Sequence, residues 1–136
     1  HDVLHVVAHG RFRHDNPLWS TIELADGELT AYELERWSNA RGTVPPTVVL
    51  ATCESGVGGA RGGRQLRGLT TTLLGMGVST VVAAIGALPD DAETRRTMVE
   101  LHRDLARGIG ASASLLRQRQ ERPSVTAAGL VTHGVG

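Results

Sequence analysis

Lysine is absent from this chain of 136 residues, and all 14 of its basic side chains are arginine. That absence removes two chemistries, because a phosphate-binding P-loop needs a lysine after its glycines and a Schiff-base enzyme needs an amine. Cysteine occurs once, as Cys53, so no internal disulfide can form. No charged-then-apolar leader opens the sequence, and a reducing, cytoplasmic setting is the expectation. Long hydrophobic runs are missing too. The apolar stretches stop at strand length, short of the roughly 18 residues of a membrane-crossing helix, and no membrane partner is expected. An excess of either charge is also lacking, since 14 acidic side chains balance the arginines. Without a basic footprint, nucleic acid is not expected as a direct partner.

What remains fits one α/β domain with a single core. Residues 3–8 (VLHVVA) predict a mostly buried strand, and the turn-rich GRFRHDNPLWS after it predicts a loop. Thr21 to Leu29 carries Ile22 and Leu24 in alternation and then Asp26-Gly27, the signal of a hairpin. Thr30 and Glu33 match a capping box, so a helix is expected from Ala31 to about Trp37. The prolines at 45 and 46 keep the following connection out of a central strand. Residues 47–52 then predict a second core strand.

Glycines and arginines crowd positions 56–68, which predicts a surface loop. Leu69, Leu73 and Met76 predict a helix over 66–76, and VSTVVAAI a third strand over 78–85. Met98, Leu101 and Leu105 lie on one face of an amphipathic helix ending at Gly108. Ala111 to Gln120 predicts another helix stopped by Pro123, and Ala127 to Thr132 a last strand. Strands alternating with helices imply a mostly parallel sheet covered on both faces. The sequence opens on His1 and then a strand, so a core excised from a longer chain, with further sheet partners upstream, is the expectation.

Cys53 follows the run TVVLAT, and His9-Gly10 follows VLHVVA. Parallel neighbouring strands bring their carboxyl ends to one edge of a sheet, where a cysteine nucleophile and an imidazole partner can meet. Glu54, Ser55 and Gly56 turn the chain out of the core just after the thiol. Gly10 permits close backbone approach and offers an N–H to a developing oxyanion. His5, inside its strand, reads as a packed core histidine. His14, His102 and His133 show no metal-ligand spacing, so no metal and no cofactor is assigned. Seven residues separate Cys53 from Arg61, too many for the loop in which a thiolate attacks phosphorus and an arginine clamps its oxygens.

HVVAHGRF, PLWSTIELADGELTAYEL, VVLATCESGVGG, RGLTTTLLGMGVSTVVAAI and PDDAET follow one another as they do in CHAT domains, and over essentially its whole length the chain resembles that family. These are caspase-like cysteine peptidases of the separase, caspase and gingipain clan, often joined to tetratricopeptide repeats. The resemblance implies a three-layer αβα sandwich, a protein or peptide substrate, and a regulatory partner region of the tetratricopeptide type. It implies His9 as the catalytic histidine, Cys53 as the nucleophile, and the N–H groups of Gly10 and Cys53 as the oxyanion hole. Asp90 matches an aspartate that in related peptidases helps to bind a basic P1 side chain; the other reading of Asp90 is a helix N-cap. Gly86 replaces the family's usual tryptophan, and the aromatic pair usual near the end is missing.

Three readings are left by the sequence. The first is a CHAT-type endopeptidase core acting through His9 and Cys53, with a basic P1 residue as one expectation. The second is a catalytically silent signalling or scaffold module of the same fold. The third is an unrelated cysteine hydrolase of a small ester or amide.

Overall fold

The computed structural model describes residues 3–11, 15–51 and 62–135. Along these the chain forms β1 (Val3–Val6), β2 (His9–Arg11), a 3₁₀ turn (Pro17–Trp19), β3 (Thr21–Leu24), β4 (Gly27–Thr30), α1 (Ala31–Arg41) and β5 (Thr47–Leu50). It continues through α2 (Gly62–Gly75), β6 (Thr80–Ala84), α3 (Ala92–Ala106), α4 (Ala111–Glu121), α5 (Val125–Gly129) and β7 (Leu130–Gly134).

The main sheet has the order β1-β5-β6-β7. β1, β5 and β6 run parallel, in a register that sets Val6 beside Leu50 and Leu50 beside Ala83; β7 is antiparallel to β6. The two central strands read TVVL and TVVAA, β-branched and apolar on both faces, as strands covered on both sides must be.

Alternation along them sorts the core into two halves. Val48, Leu50, Val81 and Ala83 pack with Ile22, Ala31, Leu69 and Leu73, so α1 and α2 cover that face. Val49, Val82 and Ala84 pack with Leu101, Ala111, Leu115 and Leu130, so α3 and α4 cover the other. The result is a three-layer αβα arrangement. Leu101, Leu115 and Leu130 are each at most 1% exposed, and each such side chain contributes about 1.5–3 kcal/mol. Among the described residues no helix is long and apolar enough to cross a membrane.

One polar network is buried with the second half-core. The Asp104 carboxylate on α3 accepts from the Ser114 hydroxyl at 2.6 Å and from the Arg117 guanidinium at 2.5 Å, tying α3 to α4. Burial pushes the Asp104 pKa up, but these hydrogen bonds and the positive charge of Arg117 outweigh it and hold the carboxyl below its usual range.

Local signals explain the element ends. Thr30 and Glu33 form the expected capping box, each side chain reaching the other's backbone N–H. The helix runs past Trp37 to Arg41, because the left-handed residue that closes it is Gly42, at φ 69°. Three other expectations shift. Residues 62–68, expected as loop, are the start of α2, while 56–61 lie outside the described residues. The third strand is trimmed to 80–84. The last strand begins at Leu130, since Ser124 caps a short helix by accepting from the Ala127 N–H at 3.0 Å and so takes 127–129 out of the sheet.

The remaining difference bears on function. The first strand stops at Val6, and His9–Arg11, the last two of these residues expected as loop, form β2 of a second, three-stranded antiparallel sheet, order β2-β3-β4. The free edge of the β3/β4 hairpin supplies backbone partners that composition alone does not reveal, pairing His9 with Glu23 and Gly10 with Ile22. Ile22 in turn packs into the main core.

Candidate active site

The parallel ladder between β1 and β5 extends one bond past the strands, where the Ala51 N–H donates to the Val6 carbonyl at 2.9 Å. Val6 lies three residues before His9, and Ala51 two residues before Cys53. The two segments that carry the expected dyad therefore leave the same edge of the sheet from adjacent strands. Val6, Val48 and Val49 are β-branched, which suits both segments to the sheet.

His9 is placed on β2 by its backbone pairing with Glu23. Gly10, next to it, is buried and paired with Ile22. Cys53 lies outside the described residues. Asp90 is described, and the structure bears on the helix-cap reading of it. The cap falls one residue later: the N-cap of α3 is Asp91, whose carboxylate accepts from the Thr94 N–H at 2.8 Å, whereas Asp90 is paired with Arg95 at 3.0 Å. The Asp90 side chain is 100% exposed and that of Arg95 68%. The Asp91 carboxyl is held below its usual range chiefly by that Thr94 N–H.

A groove of about 800 Å³ opens beside this edge and is lined by Ala51, Asp90, His5 and His102 among others. At its floor the Nε2 of His102 and the Nδ1 of His5 are 2.9 Å apart, with ring centroids separated by 4.7 Å. One ring donates and the other accepts, so a single proton lies between them. Burial, and then the charge of His102, push the His5 imidazole below its ordinary pKa. The far ring nitrogen of His5, Nε2, is buried with no hydrogen-bond partner among the described residues. His5 is half-buried at a groove rather than enclosed in the core.

The histidine pair was readable only in part from the sequence. His102 falls on the helical face that also bears Met98 and Leu105, which turns it toward the sheet, and His5 shares a strand face with Val3. Nothing in the sequence pairs the two across 97 positions. The pairing of Arg95 with Asp90, five positions apart, is equally unmarked. Among the described residues no group of three or more His, Cys, Asp or Glu is gathered as a metal site.

A family model described as CHAT domain matches residues 1–125 of the chain. No curated protein shows significant similarity to it.

Proposed function

Because the chain belongs to the CHAT domain family, whose fold is caspase-like, we propose that it is the core of a cysteine endopeptidase acting through Cys53 and His9 on a protein or peptide substrate. The observation that carries this reading is the Ala51-to-Val6 hydrogen bond, which joins at one sheet edge the strands that lead to the two residues.

In this reading the Cys53 thiolate attacks the carbonyl carbon of the scissile peptide bond, forming a C–S bond and placing negative charge on the carbonyl oxygen. The N–H groups of Gly10 and Cys53 stabilise that oxygen. The C–N bond breaks as His9 gives a proton to the leaving amine, and a thioester remains. Water then attacks the thioester, losing a proton, and releases a carboxylate and the thiol. No third side chain is required to orient His9. The resemblance adds a tetratricopeptide-type regulatory region as partner.

The test is to treat the protein with peptidyl electrophiles and locate the adduct by mass spectrometry. Labelling of Cys53 that disappears in His9→Ala supports the peptidase. Reaction of Cys53 with small alkylating agents but with no peptidyl probe moves the reading to a silent scaffold module or a small-substrate hydrolase.

A further inference from the structure

The groove beside Ala51 has carbon walls. Val7, Leu88, Pro89, Met98 and Val99 line it with Ala51. Two of these side chains turn substantial apolar surface to solvent, with Val7 74% and Val99 47% exposed. Among the described residues, the charges on its margin are Asp90, Arg95 and Arg103, one negative and two positive. The sole carboxylate among them is already matched by Arg95, leaving the margin net cationic. On the floor, His5 and His102 direct their facing nitrogens at each other, and with the His5 pKa held down that ring adds no fixed positive charge at neutral pH.

An incoming basic side chain would meet two guanidinium groups and would have to draw Asp90 away from Arg95. An incoming carboxylate would find Arg95 occupied by Asp90 and would trade full hydration for carbon walls, with only the exposed Arg103 at the margin to offset that cost. An aliphatic side chain meets no such penalty and covers Val7 and Val99.

We propose that this groove is the specificity pocket of the peptidase and takes a neutral aliphatic P1 side chain, such as leucine or methionine, in place of the basic one that Asp90 brings to mind. The proposal rests on the peptidase reading of Cys53 for the word P1; the groove's preference for an aliphatic group does not.

The experiment compares peptidyl acyloxymethyl ketones identical except for Leu, Arg or Glu at P1, each competing for Cys53 in the full chain, with adduct rates read by mass spectrometry. Iodoacetamide, which needs no groove, monitors folding and thiol reactivity. The Leu probe is expected to label at least tenfold faster than the others, and Val99→Arg, on an exposed helix position, to remove most of that advantage. Faster labelling by the Arg probe that is lost in Asp90→Asn overturns the proposal, as does faster labelling by the Glu probe. If no peptidyl probe labels Cys53, the peptidase reading fails, and the groove is judged by the methyl resonance of Met98. A shift with N-acetyl-leucinamide and not with N-acetyl-argininamide keeps the aliphatic site; a shift with argininamide alone, or with neither, removes it.

Discussion

His5 Nδ1 and His102 Nε2 meet at 2.9 Å, so β1 is fastened to α3 by one shared hydrogen between two imidazoles. Protonating both rings sets N–H against N–H across that contact. Since the His5 pKa is depressed in the folded state, the unfolded chain binds the proton first as the pH falls. The contribution is complete above the unfolded imidazole pKa of about 6.5 and is lost on lowering the pH from there through the folded value. Asp90, Arg95 and Arg103 also line the groove. Urea midpoints between pH 8 and pH 5 should therefore fall with acidification, and His102→Leu should flatten that slope. An equal slope in the variant would assign the effect to other groups.

Asp104 gives a second, separate acid window. Its carboxyl is depressed in the fold, so its contribution is present above the unfolded aspartate pKa of about 3.9 and is lost as the pH falls below it. Replacement by alanine removes a buried acceptor of two hydrogen bonds and takes away the acceptor of the Ser114 O–H, whose oxygen still accepts from Gln118. The Arg117 side chain remains 41% exposed and can rehydrate. A loss of about 2–3 kcal/mol in equilibrium unfolding is expected. A change under about 0.5 kcal/mol would mean that the network contributes nothing net.

Gly134 closes β7 at φ 93°, and a Cβ there would lie 2.2 Å from the Ser79 carbonyl oxygen. Gly42 has a similar backbone, φ 69°, with nothing within 4 Å of its Cβ position. Gly42→Ala should cost about 1 kcal/mol from conformation alone. Gly134→Ala should cost at least about 2 kcal/mol, because β7 must also move off Ser79. Thermal melts of the two variants side by side separate the collision from the conformational penalty, and equal costs would show that the β7 end yields freely.

For the proposed reaction, Cys53→Ala should abolish peptide cleavage. His9→Ala should slow it by about 10²–10⁴-fold, the range for loss of a general acid or base. The double variant should be no worse than Cys53→Ala, since the two groups act as a unit. Residual turnover in Cys53→Ala would place the nucleophile elsewhere.

The main sheet was legible because its signals are local: TVVL and TVVAA announce buried strands, and Thr30 with Glu33 announces a helix start. Where the competing signal was tertiary, the sequence misled. His9–Arg11 has no strand signature of its own and becomes β2 only because the edge of the hairpin offers it hydrogen bonds. Gly62 and Gly63 suggest loop, yet these residues begin α2, whose Leu69 and Leu73 bury against the sheet. At the site, the convergence of the two strand ends followed from parallel topology alone. The pairing of Asp90 with Arg95 did not, because a contact between exposed side chains five positions apart leaves no periodic trace.

The two sheets have a mechanical consequence. His9 and Gly10 are laced to β3 in the small sheet, whereas the segment running to Cys53 departs from the large one at Ala51. Ile22 is the rivet between them, anchored among the core residues of the large sheet while its backbone holds Gly10. Because Ile22 packs with Val48 and Leu50 of β5, a push on the β3/β4 hairpin bears on the backbone of Gly10 and on β5 through the same residue. One buried side chain thus sets both the backbone that carries His9 and the strand that leads toward Cys53, and the two shift together or not at all.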